Sequence, residues 1–271
     1  MVDMTNEFAF ELAEQSAADM RERTGIGATD LAMVLGSGWK MGISELGDEL
    51  ARIPLDEIVG FNKPAVAGHG GDAVFVRTSA GTIALVLTGR THYYEGLGVA
   101  AVVHGVRVAA ALGARTMILT NGCGGLNEHW SPGTVVLIRD HINLTMQSPI
   151  VGAKFVDLSQ AYSQQLRDAA HEVDPTLPEG VYVQFCGPHY ETPAEVRMAK
   201  ILGGDLVGMS TTLETIAARE AGMNVLGLSL VTNPAAGISK TPLNHEEVLV
   251  AGEQAGPRIA HLLAEIVGRI Q

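Results

Sequence analysis

Residues 82–120 read TIALVLTGRTHYYEGLGVAAVVHGVRVAAALGARTMILT, and they decide the fold class. TIALVLT (82–88) is apolar and β-branched enough for a strand buried on both faces. A glycine-bounded polar loop follows, then a helical stretch over 99–112 that Gly113 is placed to end, then a second apolar strand over 116–120. Strand, helix, strand in that order predicts an α/β sheet, whose working loops lie just beyond strand ends.

The same alternation extends in both directions. A first helix is expected over Glu7–Arg23, with Phe8, Leu12 and Met20 on one face. Strands are expected at 31–35 and 73–77 before the opening segment. After it come strand 134–138, helix 159–173, strand 180–185, helix 193–202 with Pro193 in its first turn, strand 205–208, helix 212–221, strand 224–231 and a long helix from about His245. With no repeat or linker to divide it, the 271-residue chain reads as a single domain over 1–271, a twisted mixed β-sheet flanked by helices.

Composition narrows the function. The net charge of −12 with no Lys/Arg cluster argues against nucleic acid and anionic membranes. VAAVVHGVRVAAALGA is cut by His104 and Arg107 and is too polar to span a bilayer. The acidic start MVDMTNEFAFELAEQ lacks a signal peptide's pattern, and the two cysteines, Cys123 and Cys186, form no CxxC pair and read as buried, inert thiols. A reduced, cytoplasmic protein is expected. None of the nine histidines sits in HxxxH or HExxH, so no metal is expected.

Chemistry concentrates in the loops. GSG (36–38) ends an apolar strand like an anion-binding turn, yet Met41 stands where a dinucleotide loop needs glycine and no Walker pattern follows. In GRTHYYEG (89–96), Arg90 and His92 point to one side of an extended segment, as either an anion clamp or a surface arginine beside a core histidine. TNGCGGLN (120–127) is a loop that either turns sharply or lets backbone N–H groups approach a ligand. GMSTTLE (208–214) misses the nucleophile elbow because Thr212 replaces its last glycine, and Ser210 is read as a helix N-cap and an anion donor. Glu191 in GPHYETP (187–193) and Asn233 in TNPAAG (232–237) follow apolar strands, where a buried polar group needs a partner.

Taken in order, GSG, GHGG (68–71), GRTHYYEG, TNGCGGLN, RDHINL (139–144), GPHYETPAE, VGMSTTLE, TN (232–233) and NHEEV (244–248) resemble the purine nucleoside phosphorylases of the trimeric, 6-oxopurine class over most of the chain. Gly122 and Tyr190, where vertebrate relatives carry alanine and phenylalanine, and the short stretch 145–154 fit the bacterial branch. The resemblance implies the nucleoside phosphorylase type I fold and phosphorolysis of inosine, guanosine and their deoxy forms to free purine and α-(deoxy)ribose 1-phosphate, in purine salvage.

It further implies that Ser37, His69, Arg90, His92, Gly122 and Ser210 hold phosphate. Tyr94, Met209 and His245 line the ribose, and Tyr190, Glu191, Val207, Met209 and Asn233 meet the purine. Asn233, Glu191, His92 and His245 act in catalysis, and Phe155 enters the site of a neighbouring subunit of a homotrimer. No cofactor is implied beyond phosphate as co-substrate. The rival readings are a methylthioadenosine phosphorylase, for which aspartate is expected at position 233 and an apolar group at 245, and a non-catalytic purine- or phosphate-binding protein. A hydrolytic nucleosidase would not need the phosphate set.

Overall fold

A computed structural model describes residues 4–62, 71–239 and 245–270. In chain order the elements are α1 (Met4–Thr24), β1 (Leu31–Val34), α2 (Ile43–Leu46), β2 (Gly47–Pro54), β3 (Asp72–Thr78), β4 (Ile83–Leu87), α3 (Val99–Val102), α4 (His104–Ala111), β5 (Thr116–Gly125), β6 (Val135–Asn143), α5 (Gln164–Val173), β7 (Glu179–Gln184), α6 (Pro193–Ile201), β8 (Leu206–Gly208), α7 (Thr212–Glu220), β9 (Asn224–Pro234) and α8 (His245–Arg269).

The strands form one mixed sheet in the order β2-β3-β4-β1-β5-β8-β7-β6-β9. β9 also pairs with β5, so the last five strands of that order close into a ring. β1 runs parallel to β4 on one side and β5 on the other, while β2 and β3 extend the open edge antiparallel.

The central strands are buried on both faces, as the 82–88 segment predicts. Alternate residues feed two separate apolar clusters: Val34, Leu85, Leu87, Met117 and Leu119 face one, Met33, Val86 and Ile118 the other. The first cluster is closed by α1, α4 and α7 through Ala17, Val108 and Ala217, and the second by α5 and α8 through Ala170, Ile259 and Leu263. No helix among the described residues is long and apolar enough to cross a membrane.

Several local expectations are corrected. Phe8 is 61% exposed, and α1 instead buries Ala9, Ala13, Ser16, Ala17 and Met20. Small side chains let it lie close to α4, where the Ser16 hydroxyl is 3.0 Å from His104 Nε2. The helix expected over 99–112 is broken at Val103, within a β-branched pair that disfavours helix. Strand β2 was not expected, because GDELARIP is almost wholly exposed and carries no alternating apolar face. TNGCGG is strand, not loop: β5 runs on to Gly125, and β9 likewise reaches Pro234. Cys186 is exposed, whereas Cys123 is buried and its thiol is pushed up to about 12 by desolvation.

The tight seat of α1 is testable. Ala17 is fully buried, so Ala17→Leu is expected to cost about 1–3 kcal/mol by overpacking, read from urea unfolding midpoints. An unchanged midpoint would mean that α1 does not pack through this face.

Candidate active site

Where β5 leaves the open sheet to join the ring, the ends of β1, β4, β5, β8 and β9 surround a cavity of about 510 Å³. Ser37, Arg90, His92, Tyr94, Gly122, Tyr190, Glu191, Val207, Met209, Ser210 and Asn233 all line it. Segments nearly 200 residues apart in sequence therefore meet at one place, as the ordered motifs imply. His69 lies outside the described residues, and so does the side chain of His245, the first residue of α8. Phe155 is not among the lining residues and is 97% exposed.

The floor of the cavity is β5. Gly122 and Gly124 are two apart on a strand and so share a face. A Cβ on Gly122 would come 3.2 Å from Thr232 Cγ2 and 3.5 Å from Ser37 Cβ, and one on Gly124 would come 3.0 Å from Val207 Cγ2. Bare backbone at these two positions lets β1's turn, β8 and β9 converge on one strand. The GSG turn needs its glycines for the same reason. A Cβ on Gly36 would lie 2.6 Å from the Thr120 carbonyl, and Gly38 has φ +86° with Gly252 of α8 packed against it.

Arg90, with a side chain 5% exposed, is held from two sides. Its Nη1 donates to Ser210 Oγ at 3.0 Å, and its Nε lies 3.2 Å from Glu214 Oε1, itself buried. Nε and Nη2 have no hydrogen-bond partner among the described residues, so the contact with Glu214 is an ion pair rather than a hydrogen bond, and the buried guanidinium keeps donors for an anion. His92 stacks on Tyr94 at 4.8 Å, and the Glu95 carboxylate accepts from the His92 backbone N–H at 2.6 Å. Burial, with a smaller push from Glu95, raises the Tyr94 pKa, so the phenol stays neutral.

Ser210 does not cap α7, as its sequence position suggested. The cap is Thr211, and Glu214 completes the capping box. Thr211 has φ +78° and ψ −48°, and the Thr212 N–H donates to the Ser210 carbonyl at 2.9 Å, so the chain enters α7 through a strained γ-turn. Asn121 Nδ2 steadies it by donating to Thr211 Oγ1 at 2.9 Å. The T-x-x-E pattern over 211–214 was a visible signal for the cap; the strain was not legible. Asn121, Thr211, Thr232 and Glu214 are site residues that sequence reasoning missed.

At the other end, Glu191 is only 7% exposed, and its Oε1 has no hydrogen-bond partner among the described residues. Desolvation raises its pKa above the ordinary carboxylate value; its own backbone N–H opposes this, and Glu195 adds a smaller upward push. The proton of the Thr232 hydroxyl lies between the Cys123 carbonyl at 3.1 Å and Asn233 Oδ1 at 2.9 Å. Asn233 Nδ2 donates to the Pro234 carbonyl at 2.9 Å, so the amide is oriented with its nitrogen as the donor side. The cavity thus has a cationic end rich in donors and an end with one buried acceptor and one fixed amide.

Comparison with known proteins identifies the family. The family model described as Phosphorylase superfamily matches residues 30–268. A purine nucleoside phosphorylase of Cellulomonas sp. is 61% identical over 264 residues, covering 96% of this chain and 94% of the relative. Among solved structures, Schistosoma mansoni purine nucleoside phosphorylase in complex with inosine superposes with a TM-score of 0.87 at 33% identity, covering 96% of this chain and 97% of that one. The same enzyme in complex with adenosine superposes with a TM-score of 0.88 at 33% identity, covering 96% and 98%.

The burial of the Arg90–Glu214 pair has a cost that can be read. Arg90→Ala would leave the Glu214 carboxylate buried without its cation, and a loss of about 3–5 kcal/mol is expected from chemical denaturation. Arg52→Ala, which breaks the solvent-accessible pairs with Glu49 and Asp72, is the control and should cost less, about 0–2 kcal/mol.

Proposed function

The chain belongs to the phosphorylase superfamily and, within it, to the purine nucleoside phosphorylases with bacterial relatives; from that premise we propose that its cavity carries out phosphorolysis of inosine and guanosine through the residues lining it. Phosphate and a purine ribonucleoside give free purine and α-ribose 1-phosphate with inversion at the sugar carbon. The observation that carries the assignment of roles is the paired character of the cavity: a buried arginine with an open Nη2 at one end, a buried carboxylate with an open Oε1 at the other.

In this reading Ser37, Arg90, His92, Ser210 and the backbone at Gly122 hold phosphate beneath the ribose, with His69 close by. As the glycosidic bond lengthens, positive charge grows on the sugar and negative charge on the leaving purine. The held phosphate faces that cation, and its orientation is set before reaction. Tyr94, Met209 and His245 line the ribose, while Tyr190 and Val207 pack on the ring. Asn233 donates an N–H to N7, where charge collects, and Thr232 keeps the amide turned that way. Glu191 accepts from N1–H. No cofactor is needed beyond phosphate as co-substrate.

The chain is further proposed to act in the cytoplasm as a homotrimer. Phe155 supports this: it stands 97% exposed on a stretch where Met146 is also 83% exposed, large apolar groups that a neighbouring subunit's site would cover. A methylthioadenosine phosphorylase is disfavoured, since Asn233 and His245 stand where aspartate and an apolar group are expected.

The deciding experiment follows hypoxanthine release from inosine with and without inorganic phosphate. Strict phosphate dependence with ribose 1-phosphate as product is expected; cleavage in its absence would make the protein a nucleosidase. Asn233→Ala is expected to lower kcat by about 10²–10³, and an unchanged kcat would remove it from the chemistry. Asn233→Asp is expected to gain adenosine cleavage, and failure on both nucleosides would refute that exchange of specificity.

The pH dependence follows from Glu191. Above its raised pKa the carboxylate accepts from N1–H of a 6-oxopurine; as pH falls through that pKa it gains a proton and becomes a donor, suited to the bare N1 of adenine. The adenosine-to-inosine ratio of kcat/KM is therefore expected to rise as pH falls, and in Glu191→Gln to become flat. A flat ratio in the wild type would place N1 recognition elsewhere.

A further inference from the structure

Glu214 touches neither end of the cavity's expected ligands, yet it is almost wholly buried, and each of its oxygens has a distinct task. Oε2 accepts from the Thr211 N–H at 2.9 Å, the bond that holds the strained turn at the head of α7. Oε1 lies 3.2 Å from Arg90 Nε. Arg90 in turn donates through Nη1 to Ser210 Oγ, one residue before that turn. The contacts form a closed loop: carboxylate to turn, turn to serine, serine to guanidinium, guanidinium to carboxylate.

The geometry points to Glu214 as the positioning residue of the anion-holding end, the group that locks Arg90 and Ser210 into one preformed unit. This rests on the phosphate reading above. The physical need is clear from the backbone. A β-branched residue at φ +78° persists only where its surroundings over-determine it. Asn121 fixes the Thr211 side chain, Gln184 Oε1 accepts from the Thr212 N–H at 2.9 Å, and Glu214 fixes the Thr211 N–H. Of these groups only Glu214 also touches the arginine. The ion-pair contact at Nε holds the guanidinium while Nη1 meets Ser210 in the cavity wall and Nη2 keeps an unmade hydrogen bond, and such a fork of donors suits a tetrahedral oxyanion.

Charge and geometry make opposite forecasts, which gives the idea a sharp test. Removing a carboxylate beside Arg90 leaves the site more positive, so on charge alone Glu214→Gln should bind phosphate more tightly. A glutamine can keep the helix cap through its carbonyl oxygen, but its NH₂ would then oppose Arg90 Nε, donor against donor. If positioning dominates, phosphate binds more weakly.

The experiment titrates inorganic phosphate into wild type and Glu214→Gln by calorimetry and measures KM for phosphate and for inosine separately. Both the phosphate Kd and its KM are expected to rise about tenfold or more, the scale of one misaligned charged hydrogen bond. KM for inosine at saturating phosphate should stay within about twofold, a split that general loosening of the fold would not produce. Glu214→Asp keeps the charge with a shorter reach and should fall between the two, and it carries the test if Glu214→Gln does not fold. A folded Glu214→Gln, or failing that Glu214→Asp, that binds phosphate as tightly as wild type or tighter overturns the inference while leaving the phosphorylase reading intact. A wild type that binds no phosphate, or cleaves inosine without it, overturns the phosphorylase reading first and this inference with it.

Discussion

Strand β5 pairs with three other strands of the one sheet, and the rest of the molecule is arranged around that constraint. Along Thr116–Leu119 it pairs with β1 in the open sheet, with β9 on its other edge; at Gly124 and Gly125 it pairs with β8. The ladder between β5 and β9 shifts register between Cys123 and Gly124, where β8 joins. Three other chain segments then crowd one short stretch of backbone. Glycine eases that crowding at 122 and 124, where a Cβ would come 3.2 Å from Thr232 Cγ2 and 3.0 Å from Val207 Cγ2, and the room left beside them is the cavity. The site is thus a by-product of how the sheet closes, placed where parallel strands end and loops are free to vary.

The same closure brings charge into a region that water leaves. The protein carries a net charge of −12, so its long-range field repels an anion, and screening at physiological salt removes most of that field beyond about 8 Å. What remains is short-range. In the phosphate reading, Arg90 acts at contact distance from a desolvated position, where a charged donor is stronger than in water, while the first N–H groups of α7 are taken up by Glu214 and Gln184. Glu214 offsets much of Arg90's charge, so the site depends more on aimed donors than on net positive potential. Such a site suits an anion that must be taken up and released as part of something larger, rather than one held permanently.

Much of this was legible in the residues. The apolar run of TIALVLT announced a strand covered on both faces, and the polar segments after apolar runs named nearly every described residue around the cavity. Three kinds of feature stayed hidden. GDELARIP forms a strand through backbone pairing with β3 rather than through a buried face, so its charged exterior concealed it. TNGCGG looked like a loop because glycine is poor in strands, whereas here it is selected by crowding from strands distant in sequence. Thr211 and Glu214 looked like an ordinary helix start, and nothing local signals that the turn is strained or that the capping carboxylate reaches Arg90, far upstream in the chain.

That last case shows how a helix cap can become part of a binding site. Capping needs only one oxygen of a glutamate at the third helical position, and its partner is always the backbone N–H next to it. The second oxygen is uncommitted. On an exposed helix it faces water and contributes little. Here α7 starts at the closing point of the sheet, and that oxygen finds a guanidinium delivered by the loop after β4. The pair is then buried, so disturbing either member leaves an uncompensated charge. Helix start, strained turn and arginine are thereby bound into one rigid group, and the precision of the anion-holding end follows from the stability of the fold instead of competing with it.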